Sequence, residues 1–250
     1  MIIYPNNQSK IIEFEEMALN AWPALYENLH NGCIIRYSNG YTKRANSVNA
    51  LYFNENYPEL IDYSEKFYKQ YSLPTTFKII KHKRYEHLDA FLDELKYRII
   101  DNTNVKLIDL RTNSFINNRI VKLEKDFSDS WINEFVALHR LEAQLATISN
   151  MLKKITVPKI VASITIDSKI IGFGYGVIEN NIIGIFDIYV NEKYRNKGYA
   201  RKIMNKLLYW AKSKGIIYSY LQVMENNIVA NKLYQSIGYK QYYKYWYRVK

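Results

Sequence analysis

The chain has 250 residues, 48% of them hydrophobic, and a formal net charge of +11. That length suits one large or two small domains with ample apolar material for a core; no apolar run approaches the ~18 residues of a membrane-crossing helix, and the opening MIIYPNNQSK lacks a charged segment followed by an apolar one, so no secretory leader is expected. A single cysteine, Cys33, excludes an internal disulfide and a cysteine-built metal site, and together these features predict a cytoplasmic protein without membrane association.

In chain order, periodicity predicts helix 11–28, strands 32–38 and 43–50, helix 58–71, strand 75–81, helix 86–98 and strand 104–111. The polar, glycine-free stretch Thr112–Asn118 reads as a boundary, giving an amino-terminal α/β lobe over 1–115 and a second domain over 116–250. That domain reads as strand 119–124, helices 129–140 and 142–154, strands 158–166, 169–179 and 182–190, helix 198–214, strand 216–223, helix 228–237 and strand 239–248. Asp167-Ser168 and Asn180-Asn181 are the hairpin turns, and the Ile/Val runs support the strands. The helix-break-strand segment from Ser64 to Phe77 parallels that from Ala230 to Tyr239, which suggests a degenerate second copy in the amino-terminal lobe.

The densest information lies between Ile183 and Gly215, where an apolar strand runs into a basic, glycine-bearing loop and then a helix. A helix N-terminus carries unpaired N–H groups and partial positive charge, so this is an anion site. From Lys193 to Lys214 there are eight Lys or Arg residues and no acid. This is either a solvated helix face or a positive field around a polyanionic ligand. The loop fits neither the nucleotide P-loop nor the dinucleotide glycine pattern.

Arg195-Asn196-Lys197-Gly198-Tyr199-Ala200, after one strand and before a helix, resembles the R/Q-x-x-G-x-G/A signature of the GCN5-related N-acetyltransferase (GNAT) superfamily. Asn227-Ile-Val-Ala230 through Leu233-Tyr234 to Gly238-Tyr239 is similar to the family's following N-x-x-A-x-x-L-Y element. The resemblance covers residues 116–250. It implies an α/β GNAT fold, a mixed, mostly antiparallel sheet flanked by helices, with an amino-terminal lobe that is either a degenerate GNAT-like copy or an unrelated α/β cap. It implies acetyl-CoA as co-substrate, with the loop amides on its pyrophosphate and the backbone of Ile188, Tyr189 and Val190 along its pantetheine arm. The Val190 amide would face the thioester oxygen.

Transfer to an amine also needs that amine neutral, against an ordinary pKa of ~10.4, and a way for the thiolate to leave. Asp187 is the odd residue in an apolar strand, and a buried carboxylate needs a partner or a raised pKa. It is the candidate ammonium anchor or general base, the alternative being a structural ion pair. Glu179 is a weaker candidate for the same task. By the resemblance, Tyr234 is the general acid; the alternative is a packing tyrosine. Asn227 either bonds the pantetheine arm or caps its helix. The four histidines and Cys33 form no metal-type spacing.

The expected activity is acetyl-CoA-dependent N-acetyl transfer by direct attack, with no metal. The acceptor would be an amine on a small molecule, peptide or protein. The competing readings are a non-catalytic acyl-CoA-binding module and, on charge alone, a nucleic-acid partner, which no recognition motif supports. The resemblance places the acceptor against helices 129–154, with Trp131 and Glu134 as facing residues, and against the aromatic strand Tyr242–Tyr247. It leaves open whether the amino-terminal lobe covers that groove or forms a homodimer contact.

Overall fold

The computed structural model describes residues 8–53 and 56–250. Residues 1–7, on which the leader expectation draws, lie outside the described residues. Among the described residues no helix is long and apolar enough to cross a membrane. The chain divides into two compact units: one of the described residues up to Val105 with Met224–Asn227 and Tyr242–Lys250, the other of Lys106–Val223 and Ile228–Gln241. The architecture is the expected α/β type, with mixed, mostly antiparallel strands flanked by helices.

The first unit contains α1 (Gln8–Ala21), β1 (Tyr26–His30), β2 (Cys33–Tyr37), β3 (Val48–Asn49), α2 (Tyr57–Lys69), β4 (Thr76–Ile80), α3 (Glu86–Glu94) and the start of β5 (Arg98–Asp109). Most of β11 (Lys240–Val249) also belongs here, in the order β1-β2-β3-β4-β11-β5. The helix expected to reach residue 28 stops at Ala21. Pro23 has no N–H to continue it and excludes helical geometry before it. The chain instead forms the exposed strand β1, turned back by Asn31 and Gly32, both at positive φ. The strand expected over 43–50 shrinks to β3, because the Asn46 side chain accepts from the Ser38 and Gly40 amides at 2.7 and 3.0 Å and folds that stretch into a loop. The helix expected to reach 98 ends at Glu94, where Lys96 turns left-handed and β5 begins.

Connectivity bears on the sequence repeat. Strands β3 and β4 are parallel and joined by α2. In the second unit β9 (Ile182–Val190) and β10 (Tyr218–Met224) are parallel and joined by α6 (Tyr199–Ser213). Topology therefore matches α2 with α6, whereas the sequence repeat had matched it with the helix after β10.

The second unit orders its strands β10-β9-β8-β7-β6, with β6 at Val121–Glu124, β7 at Lys159–Ile166 and β8 at Lys169–Glu179. Helices α4 (Asp129–His139) and α5 (Leu145–Lys153) follow β6, and α7 (Ile228–Ile237) follows β10. Both expected hairpin turns form, with Asp167, Ser168, Asn180 and Asn181 at positive φ. One sheet face is aliphatic: Ile160, Ala162, Ile164, Ile183 and Ile185 pack with Ile203, Met204, Leu207 and Leu208 of α6. Gly172, Gly174 and Gly176 share that face; a Cβ on Gly172 would meet Ile203 and Val190, each at 3.3 Å. The alternate residues Phe173 and Tyr175 point the other way, into an aromatic layer with Trp131 and Phe135 of α4.

Candidate active site

The ladder between β9 and β10 covers Ile182–Ile185 and Tyr218–Leu221, and both strands run on beyond it. On its other side β9 pairs with β8 as far as Gly172↔Val190. One irregularity interrupts that pairing: Tyr175 faces Phe186 and Phe173 faces Tyr189, so Gly174 stands opposite both Asp187 and Ile188. This is a β-bulge, and Asp187 is its left-handed residue at φ 49°. A short polar side chain tolerates that conformation better than most. Asp187 is thus the extra residue at a break in the strand's alternation, which explains a carboxylate in an apolar run. Gly174 makes room for the bulge, since a Cβ there would come 2.4 Å from Ile188 Cδ1.

The bulge also sets which groups of Val190 point outward. The Asn191 amide donates to the Ile171 carbonyl at 2.8 Å, so 191/171 is a hydrogen-bonded pair and 190/172 is not. The Val190 N–H and C=O therefore turn away from β8, toward the edge where β10 has stopped pairing. Arg195 Nε donates to that carbonyl at 3.1 Å, with Glu192 3.6 Å from its guanidinium. The side chain of Arg195 thus braces the turn between strand and helix.

From Arg195 the chain passes Asn196 at φ 62° and Gly198 at φ 76° into α6. Gly198 is the N-cap and has no side chain to offer the first amides of the helix. A Cβ on Gly198 would meet nothing within 4 Å, so the space beside the start of the helix is open there. Lys193, Arg195, Lys197, Arg201 and Lys202 lie in this loop and the first turn of the helix, Arg201 holding Ser236 Oγ at 2.6 Å. Left-handed residues, a helix N-terminus and a cation-rich stretch are the elements from which an anion cradle is built.

Asp187 and Tyr234 act on each other. Burial pushes the Tyr234 phenol up to about 12, and the Asp187 carboxylate adds to the rise. Tyr234 is 9% exposed and packs edge-on to Tyr239, with ring centroids 6.1 Å apart.

Other sequence candidates fall elsewhere. Glu179 ends β8 beside the 180–181 turn, five residues from Gly174, or about 17 Å along the strand; it does not share the bulge. Trp131 is fully buried among Phe127, Phe135, Phe173 and Tyr175, so it fills the aromatic layer and faces no groove. Glu134 is half-buried on the same helix. Tyr243, Tyr245 and Tyr247 are buried in the first unit's core, which makes that strand a packing element. Asn227 immediately precedes α7, is exposed, and belongs with the first unit.

Sequence reasoning missed two contributors. Alternate glycines 172, 174 and 176 signalled close approach to the strand, and the middle one admits the bulge. The other is His139, on the last turn of α4. Its ring lies tilted against those of Phe135 and Tyr189, each with centroids 4.5 Å away, and its Nδ1 is 2.9 Å from the Phe135 carbonyl.

Residues 123–239 match the Acetyltransferase (GNAT) family. The chain is 28% identical over 250 residues to an uncharacterized N-acetyltransferase, YobR, of Bacillus subtilis, covering 96% of this chain and 98% of that one. Among solved structures it is similar to a GCN5-related N-acetyltransferase from Kribbella flavida, with TM-score 0.68, 10% identity, and 96% and 95% of the two chains covered. It is similar also to a functionally unknown conserved protein from Staphylococcus epidermidis, with TM-score 0.66, 13% identity, and 92% and 94% covered.

Proposed function

We propose that the chain is an N-acetyltransferase of the GNAT superfamily, a reading supported by the match of residues 123–239 and the likeness to YobR, and that it moves an acetyl group from acetyl-CoA directly to an amine at the β9 bulge. The observation that carries this reading is the continuity of bulge, outward Val190 amide and left-handed loop into α6. The residues suit a pyrophosphate ester: the space beside Gly198 is open, and five Lys or Arg residues fall between Lys193 and Lys202. The amides from Gly198 to Arg201 would donate to its phosphate oxygens. Asn196, Lys197, Tyr199 and Ala200 shape the cradle, and Asn227 is proposed for the pantetheine arm.

When bound, acetyl-CoA supplies an activated acyl carbon and a sulfur leaving group. The Val190 N–H would donate to the oxygen on which negative charge develops. Asp187 holds the incoming ammonium and takes its proton, which leaves a neutral amine. The amine then forms the C–N bond as the C–S bond breaks. With a pKa of about 12, Tyr234 keeps its proton at every working pH. Passing it fully to a thiolate of pKa ~8.5 is uphill, so Tyr234 hydrogen-bonds the departing sulfur while the proton released by the amine balances the reaction.

We further assign transfer to residues 116–250 and read the lobe of residues 1–115 as a degenerate copy. Its parallel β3-α2-β4 connection supports this. The acceptor belongs to the amines, and the cytoplasm is the proposed setting.

The test is the thermal midpoint with and without acetyl-CoA, ATP serving as polyanion control. Ligand at ~100 times its Kd adds ~2.7 kcal/mol, or roughly 5–11 °C at this size. A rise specific to acetyl-CoA is expected; an equal rise with ATP, or none, removes the donor assignment.

A further inference from the structure

A helix leaves its last four carbonyls without intrahelical partners, and those near the end of α4 can be traced one by one. His139 Nδ1 lies 2.9 Å from the Phe135 carbonyl, the Leu141 amide bonds Val136 at 2.9 Å, and the Arg140 amide bonds Ala137 at 3.1 Å. These are local, made possible by Arg140 turning left-handed at φ 57°. The Leu138 carbonyl is served from outside: the Tyr189 hydroxyl donates to it at 3.0 Å.

Tyr189 reaches that carbonyl from the short segment between bulge and loop. Its ring lies 4.5 Å from His139 and 5.4 Å from Phe173, and the Arg195 guanidinium sits 5.6 Å from its centroid. Arg195 is also the residue that holds the Val190 carbonyl. An unbroken set of contacts thus runs from the anion cradle through Arg195 and Tyr189 to the last turn of α4.

We propose that Tyr189 is a positioning residue that couples the anion cradle to the end of α4, so that filling the cradle fixes the placement of Leu138–Leu141 and of the His139 imidazole. The proposal rests on acetyl-CoA occupying the cradle.

Hydrogen–deuterium exchange of the full chain tests this, in wild type and Tyr189→Phe, each with and without acetyl-CoA. The phenylalanine keeps the ring among its neighbours and removes only the hydroxyl. In wild type, acetyl-CoA is expected to slow exchange across residues 198–202 and, by about fivefold, the worth of one ordinary hydrogen bond, across 138–141. In Tyr189→Phe the first effect stays and the second disappears. A hydroxyl that merely stabilised the helix end would speed exchange there in both states and leave the ligand-induced difference intact, which overturns the coupling. Protection of 198–202 alone in wild type overturns it too. No protection at 198–202 in wild type removes the donor reading on which the proposal stands.

Discussion

The carboxylate of Asp187 and the phenol of Tyr234 are electrostatically linked: one sits on a bulge of β9, the other on α7, and the charge of the first adds to burial in holding the proton on the second. Burial is the larger cause. Asp187→Asn is therefore expected to lower the Tyr234 pKa while leaving it above the ordinary value of 10. Ultraviolet titration at alkaline pH, taken as the difference from Tyr234→Phe, reads it directly; an unmoved midpoint would show that the two groups do not sense each other.

The raised phenol pKa has a defined pH window. A group whose folded pKa lies above its unfolded value contributes stability that is complete below the unfolded pKa, here 10, and is lost as pH rises through the folded one, about 12. Tyr234→Phe should lose stability less steeply than wild type between those limits in urea denaturation. With a turned-over amine, the same variant, lacking the hydrogen bond to the departing sulfur, should be slowed by ~10²-fold. Equal rates at every pH would leave Tyr234 a packing residue.

Two glycines should fail for different reasons. A Cβ on Gly184 would stand 2.6 Å from Tyr220 Cζ and 2.7 Å from Phe186 Cε2, rings that cannot give way locally. Gly184→Ala is expected to cost ~1–3 kcal/mol of stability. Gly198 has open space but φ 76°, so Gly198→Val should fold, strained by ~1–3 kcal/mol, and lose acetyl-CoA. Calorimetric titration beside denaturation separates them, and retained acetyl-CoA affinity in Gly198→Val would refute the cradle.

In the first unit, Glu15 on α1 and Lys78 on β4 form an ion pair and are 0% and 3% exposed; the Tyr243 hydroxyl donates to Glu15 at 2.7 Å. Removing one partner strands a buried charge, so Glu15→Gln is expected to destabilise by ~3–5 kcal/mol. The double variant Glu15→Leu with Lys78→Met should lose less than the single changes summed. Additive losses in chemical denaturation would mean that the pair is not coupled.

Much of the second unit was legible in the chain because local rules agreed there. Ile- and Val-rich strands met Asx-type turns, and the cradle announced itself by a glycine between strand and basic helix. Asp187 stood out by composition, but its left-handed backbone did not, since a bulge depends on what stands opposite. Strand β1 escaped notice because it is exposed and carries no apolar alternation. The stretch 43–50 misled because a single side chain, Asn46, outbid the strand preference of its neighbours. The cap that Tyr189 places on α4 joins residues 51 apart, and no local pattern encodes such a contact.

Strand β11 carries a further consequence. Tyr245 pairs with Ile80 and Val249 with Thr76, partners separated by more than half the chain, and β11 lies between β4 and β5 in the first unit. During synthesis most of the first unit leaves the ribosome early, yet its sheet lacks an inner strand until Lys240–Val249 follows. The half made first is therefore completed last. A fragment ending near residue 115 would present β4 as an open edge, inviting aggregation.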